Sequence, residues 1–316
     1  MKVHTLDIDS GERDPIVYPN PGDYVVNLKT PIFNVTKLSL ISARIHNSQF
    51  LIHERNNTFT INNTTISIPN GNYDGKDLAS NVVQESSGIL SSSSFDKDTN
   101  SIKFTGGSNF TFKFYTGTNG YNTYVSGKTT PHDILGLPAN DITSTNNTLE
   151  TGSINLQGAD AIIVKLSSGS DEFNQTIFSE TPFYTGRILM CGDVINYSGV
   201  DDTVEHNFDS GAQKTISRLR VQFYYSSNNR LIPYDFRNAN HILKLAVTCS
   251  TDKFENIPRV RRDEALPAPM SIPELEDPHR WDAFISIFLV IATGLFLLLV
   301  MKKPKYPYRI VIIMCI

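Results

Sequence analysis

The chain has 316 residues, 40% of them hydrophobic, and a formal net charge of −4, which is enough for one large or two small domains with their own cores. The tail after Met301 holds four basic residues and no acid, leaving −8 on residues 1–301, and a body this negative excludes nucleic-acid binding as its main role. Three widely spaced cysteines, Cys191, Cys249 and Cys315, exclude a disulfide framework and read as a chain made in a reducing compartment.

Residues 1–23 mix acids with Gly11, Pro15, Pro19, Pro21 and Gly22 and are expected to form an extended arm rather than a helix. The start, MKVHTLDIDSGERD, shows no apolar leader, so no cleavable signal peptide is expected. DIDSGERD lacks the third acid and the bidentate Glu of a calcium loop, and reads as a turn with Asp side chains capping backbone amides.

Strand-like runs follow at Tyr24 to Leu28, Lys37 to Ile45, Thr58 to Asn62 and Thr65 to Ile68, each alternating with period 2. The pattern breaks at IPNGNYDGKDLASNVVQE, where Asp74 is a candidate N-cap. Leu78, Ala79, Val82 and Val83 there share one helical face. A serine-rich loop at Ser91 to Ser94 leads back to strands, and Phe110, Phe112 and Phe114 alternate strongly. GGSNF at Gly106 is expected to be a turn. HDILGLP, His132 to Pro138, is expected to be a helical turn stopped by glycine and proline. Residues 139–153 read as a linker or long loop. We expect residues 69–137 to form a small α+β insertion.

Beyond it the pattern is uniformly β. Ala159 to Leu166 is nearly continuous apolar, as in a strand covered on both faces. RILMCGDVINY, Arg187 to Tyr197, follows a loop that carries Pro182. Cys191 within it is read as a small buried strand residue. Asp201, Asp202, Glu205 and Asp209 form an acidic loop, read as solvated. In SRLRVQFYY, Leu219, Val221, Phe223 and Tyr225 point one way, SSNNR is a hairpin loop, and HILKLAVTC places Leu243, Leu245, Val247 and Cys249 on one face. The predicted class is mainly β: a jelly-roll-like β-sandwich body over residues 24–255 with a helix-containing insertion, plus one C-terminal transmembrane helix.

Residues 256–280 hold Arg259, Arg261, Arg262 and Pro267, Pro269, Pro273 and Pro278, and read as a semi-rigid stalk. Residues 281–303 are the predicted anchor. Ala283 to Met301 carries no charge, and its only polar side chains are Ser286 and Thr293. As a helix it spans ~29 Å, close to the hydrocarbon thickness of a bilayer. Trp281 stands at one interface and Lys302 and Lys303 at the other. Between them Ala283, Phe284, Phe288, Leu289, Ile291, Leu295, Phe296, Leu299 and Met301 face lipid. Residues 304–316 form a short tail. Its positive charge favours a cytosolic tail, whereas the free cysteines and missing leader favour a cytosolic body, the orientation adopted here.

The seven histidines are scattered without metal-ligand spacing, and no nucleophile–base pattern stands out. No cofactor, metal or small-molecule substrate is predicted, and no enzymatic activity. Eight N-x-S/T sequons, at Asn34, Asn56, Asn62, Asn63, Asn109, Asn146, Asn174 and Asn196, matter only for a body facing the ER lumen.

Five stretches stand in a definite order: DSGERDPIVYPNPGDYVVNL, NVTKLSLISARIHNS, ISIPNGNYDGKDLASNVV, HDILGLP and SRLRVQFYYSSNNRLIPYDFRNANHILKLAV. Over residues 7–250 this order resembles the minor capsid proteins of large icosahedral DNA viruses with an internal membrane, of the giant algal-virus type. The resemblance implies a non-enzymatic protein in the virion, beneath the outer capsid and anchored in the internal membrane, with its body made on the cytosolic side of host membranes. Its implied partners are the lipid bilayer, the major capsid protein and other minor capsid proteins. The competing expectation is an anchored, outward-facing β-domain that binds receptors or glycans.

Overall fold

The computed structural model describes residues 1–123, 125–174, 183–200, 202–208, 214–251 and 279–302. Two compact units make up the chain, Met1–Ile257 and Pro258–Ile316. The stalk expected at residues 256–280, the Pro182 loop, Asp201, Asp209 and the tail at 304–316 lie almost wholly outside the described residues.

The first unit is mainly β, in three antiparallel sheets. It begins with β1, Lys2–Asp9, so the expected arm is in part a sheet strand. His4, Leu6 and Ile8 are its more buried positions, and Ile8 belongs to the core. The acids at Asp7 and Asp9 fall on the outward positions of this alternation. β2, Asp23–His46, is a single 24-residue strand where the sequence suggested two. Its core-facing residues change parity: Tyr24 and Ile32, then Val35, then Leu38 and Leu40, then Ala43 and Ile45. Register shifts opposite Thr36 and Ile41, together with the left-handed backbone of Asn34, accommodate those changes. Each extra residue bends the strand and returns the next apolar side chain to the core.

The chain then leaves this sheet and builds a second core. β3 (Thr58–Ile61) and β4 (Thr64–Ser67) form a hairpin. α1 is Gly75–Glu85, started by the Asp74 carboxylate accepting the Asp77 amide at 2.7 Å. Its buried side chains include the expected Leu78, Ala79 and Val82. β5 (Leu90–Asp96) and β6 (Ser101–Gly106) pair next. The serine run expected as a loop is therefore strand, with most of its hydroxyls on the exposed side. β7 (Thr111–Lys113), β8 (Asp141–Thr143) and β9 (Thr148–Glu150) complete the insertion. The expected linker at 139–153 thus carries two strands. They meet at a tight turn whose central residues, Asn146 and Asn147, both take positive φ, the backbone a two-residue turn of the mirror-image type requires. HDILGLP is a helical turn ending at Gly136, φ +65°. The sheets run β4-β3-β7-β8 and β5-β6-β9. Between them Phe59, Phe104, Phe110, Phe112 and Phe114 interlock, with ring centroids 5.3–5.9 Å apart. This core draws on residues from Leu51 to Ile154, beyond 69–137 at both ends.

The return strands are β10 (Ala161–Ser168), β11 (Asp171–Glu172), β12 (Gly186–Leu189), β13 (Val194–Ser198), β14 (Val204–Asn207), β15 (Lys214–Ser227), β16 (Arg230–Pro233) and β17 (Ile242–Cys249). The main sheet runs β1-β17-β2-β15-β10-β11, with β13 and β14 also on β2, β12 on β10 and β16 on β15. Inward side chains from both halves of β2 and from all its neighbours belong to one core. The sheet therefore folds over that core. Gly186 lies against Val204, where a Cβ would stand 2.2 Å from Cγ1, so the β12 backbone packs directly on the Val204 side chain of β14. Leu219, Val221, Phe223 and Tyr225 on β15, and Leu243, Leu245, Val247 and Cys249 on β17, are buried as the alternation predicts. Ile162, Ile163 and Val164 are all buried, as in a strand covered on both faces. Cys191 is corrected: it is exposed, at the turn with Gly192 that separates β12 from β13. Its apolar context belongs to the flanking strands. Glu205 of the expected acidic loop lies in β14 and pairs with Lys37.

Nine of the eleven described non-glycine residues with positive φ are asparagine, among them Asn34, Asn62 and Asn146. The asparagine side chain tolerates the left-handed region, so Asn62 and Asn146 serve as turn formers and Asn34 sits beside an irregularity within β2.

The second unit is described as one helix, α2, His279–Met301.

Candidate membrane anchor and N-terminal clasp

Among the described residues, α2 is the helix long and apolar enough, by length and composition, to cross a membrane, over Phe284–Met301. Its side chains in that window are not buried. Phe284, Phe288, Leu289, Ile291, Leu295, Phe296, Leu299 and Met301 are 56–78% exposed. Such a surface on a 23-residue helix is stable in hydrocarbon and unstable in water. The Thr293 hydroxyl donates to the Leu289 and Val290 carbonyls, which satisfies it without water. Asp282 sits in the first turn, where the helix dipole favours an acid. Trp281 and Ala283 lie within α2, with side chains outside the described set, Lys302 follows the last turn, and Lys303 lies outside the described residues.

In the first unit, a cluster of polar side chains joins the two ends of the body. β1 ends at Asp9, whose carboxylate accepts the Gly11 amide at 2.7 Å. Ser10 then exchanges two bonds with His241. The Ser10 amide donates to the His241 carbonyl at 3.0 Å, and Ser10 Oγ accepts the His241 amide at 2.8 Å. Arg13 braces the loop from within. Its Nη1 donates to the Ser10 carbonyl at 2.7 Å and to Asn240 Oδ1 at 3.0 Å. Its Nε donates to the Tyr18 carbonyl at 3.0 Å, and Nη2 to the Pro19 carbonyl at 3.3 Å. Asp14 Oδ1 accepts the amides of Ile16 and Val17 at 2.9 and 3.3 Å. At the loop's exit, Arg220 grips Asp23 with two bonds of 2.8 and 2.7 Å.

Beneath this clasp lies an aromatic floor. Tyr24 Oη and His241 Nε2 are 3.0 Å apart, and the His241 ring packs against Phe223 and Phe236 at 4.5 and 4.8 Å. Burial pushes the His241 pKa down to about 3, with the Arg13 charge adding in the same direction. Burial likewise raises the Tyr24 hydroxyl. A second buried pair joins the two cores. His53 Nε2 lies 3.2 Å from Tyr225 Oη on β15, and burial lowers the His53 pKa to about 4. Both histidines are therefore neutral at pH 7.

Of DIDSGERD, expected on the sequence reading to be a capped turn, Ser10–Glu12 are that turn, capped by Asp9, while Asp7–Asp9 are the end of β1. What that reading missed is the partnership with Asn240 and His241, some 230 positions away, for which the only signal was the presence of both stretches among the five ordered motifs. A polar cleft of about 950 Å³ opens between the two cores. Four of the amide side chains lining it are tied to structure: Asn47 to Tyr234, Gln49 to the Asp235 amide, Asn56 to Leu51 and His53, and Asn72 to the Leu51 amide. Among the described residues no three His, Cys, Asp or Glu side chains gather in metal-holding geometry.

Residues 3–103, from β1 into β6, match the model of a family of unknown function, DUF5901. No curated protein matches the chain. Among solved structures it is similar to the penton protein of mavirus, at 10% identity over 79% of this chain and 100% of that one, with a TM-score of 0.38. It is also similar to a chain of the Sputnik virophage, at 10% identity over 79% and 98% of the two chains, with a TM-score of 0.28. Backbone agreement at this level transfers no residue role, and the functional reading rests on the chain's own residues.

Proposed function

We propose that the chain is a structural capsid protein that bridges the outer shell of an icosahedral virion and the membrane inside it. The β body lies beneath the shell and contacts the major capsid protein and other minor capsid proteins. Residues 256–280 act as a spacer, and residues 281–303 hold the body to the bilayer, with Trp281 and Lys302–Lys303 at the two interfaces. The observation that carries this reading is the unburied apolar surface of Phe284–Met301, in a chain whose five motif stretches stand in minor-capsid order. Anchoring confines the body to a surface, so weak individual contacts suffice for lattice assembly.

The arrangement of the body's polar groups fits a structural role. Ser10, Arg13, Asp14 and Asn240 spend hydrogen bonds on backbone and on each other, and His241 on Ser10 and Tyr24, which fixes the loop. The negative body disfavours a nucleic-acid partner.

Flotation tests the anchor. The full chain floats with lipid vesicles through a density gradient, and a chain lacking residues 279–316 stays in the soluble fraction, keeps the body's thermal unfolding transition and loses from its far-UV circular dichroism only the helical signal of α2. A truncated body that still floats, or one that unfolds, contradicts the reading.

A further inference from the structure

The loop braced by Arg13 ends in an apolar tip. Ile16 is 91% exposed and Val17 60% exposed. Both are held in place from below, since their amides are tied to Asp14 and the carbonyls after them, of Tyr18 and Pro19, are tied to Arg13. An apolar pair held this firmly loses little conformational freedom on binding. A shallow groove lined by Val17, Tyr18, Pro19, Val25 and the Asp23–Arg220 pair continues the surface. The loop sequence around the tip is acidic, and the one base lining the groove, Arg220, is spent on Asp23 through two hydrogen bonds. Residues 7–23 contain five acids and one base. The base, Arg13, is turned into the clasp, while Asp7, Asp9, Glu12 and Asp14 are exposed.

We propose that Ile16 and Val17 form a docking knob that seats in an apolar pocket, rimmed by lysine or arginine, on a neighbouring protein subunit of the shell. The inference rests on the reading of the chain as a shell component and names one of its contact surfaces. Charge complementarity selects the occupant. A bilayer is a poor one, because exposed acids beside the tip meet anionic headgroups, where membrane-seeking loops carry Lys and Arg. A second copy in the same orientation brings the same acidic rim against itself. A basic-rimmed protein pocket matches both the knob and its flanks.

The test places the photoreactive residue p-benzoylphenylalanine at position 17 of the full chain, with a control at Lys97 on the β5–β6 turn, and irradiates assembled particles of the encoding virus. The expected result is an adduct from position 17 to a different shell protein, at a peptide flanked by Lys or Arg. In parallel, Ile16→Asp with Val17→Asp lowers incorporation into particles roughly tenfold, and Glu12→Lys lowers it severalfold. Both variants leave the melting temperature unchanged, because the substituted side chains are exposed. An adduct to lipid, an adduct to a second copy, no adduct, or normal incorporation of the double variant overturns the knob. Wild-type chain missing from particles overturns the shell reading itself, so the two failures are distinguishable.

Discussion

Acidification from pH 7 to pH 4 is expected to strip much of the body's stability through two histidines. His241 is 2% exposed, and its Nδ1 has no partner among the described residues. Protonation therefore creates a buried charge with an unanswered N–H. His53 is also 2% exposed, and its Nδ1 lies 3.3 Å from the Arg55 amide as an acceptor, a role protonation removes. In the unfolded chain both titrate near the ordinary value of 6.5, whereas in the folded body burial holds them at about 3 and about 4. The unfolded state thus binds more protons below pH 6.5, and stability falls as pH falls. The loss continues to about pH 4 for His53 and to about pH 3 for His241. At ~1.4 kcal/mol per unit, each has removed about 3 kcal/mol by pH 4. Together that is of the order of a typical domain's whole stability. Urea unfolding of the full chain in non-ionic detergent, followed by far-UV circular dichroism at pH 7, 6, 5 and 4, measures it. His241→Gln and His53→Gln should each flatten the curve by about 1 kcal/mol per pH unit between pH 6 and 4, while carboxylate titrations cancel in the comparison. Curves that run parallel to the wild type refute the assignment of the acid response to these two rings.

Further substitutions probe the fold. Arg13→Ala removes four hydrogen bonds from a half-buried guanidinium and should cost about 2–3 kcal/mol in urea unfolding, with Arg13→Lys intermediate because a point charge cannot serve the forked set. Phe112→Ala, in the centre of the phenylalanine cluster, should cost about 3–5 kcal/mol. Gly186→Ala drives a methyl into Val204 and should lower stability by about 1–3 kcal/mol, and adding Val204→Ala should recover part of that loss, which a thermal melt of the double variant checks.

What was legible in the sequence was whatever keeps a constant period. Leu219–Tyr225 of β15 and Leu243–Val247 of β17 bury every second residue, so their faces could be read directly, whereas Ile216 falls out of phase beyond a register shift; α1 shows its Asp74 cap and one apolar stripe. The apolar surface of α2 follows from composition alone. β2 was harder, because its core positions change parity at bulges and a period-2 reading breaks it into pieces. Ser91 to Ser94 of β5 read as a loop because serine carries little strand signal, and their pairing comes from β6. The turn at Asn146–Asn147 was hidden in an Asn/Thr-rich run that also looks like a linker. Cys191 lay between apolar strands, and Gly192 beside it was the cue that the strand had ended. The clasp could not be read locally at all: Arg13 and Asn240 meet only once β1 lies beside β17.

The central claim, a body held between shell and membrane, is tested most directly by protease protection on purified particles. Epitopes are placed at residue 1 and after residue 251, and digestion is compared in intact particles, in shells opened without detergent, and after detergent. The account predicts full protection in intact particles. Opening the shell should make the body accessible, while the segment around α2 stays protected until detergent dissolves the membrane. Cleavage of the body from the outside of intact particles, or a body bearing glycans at its sequons, contradicts the account and supports an outward-facing binding protein.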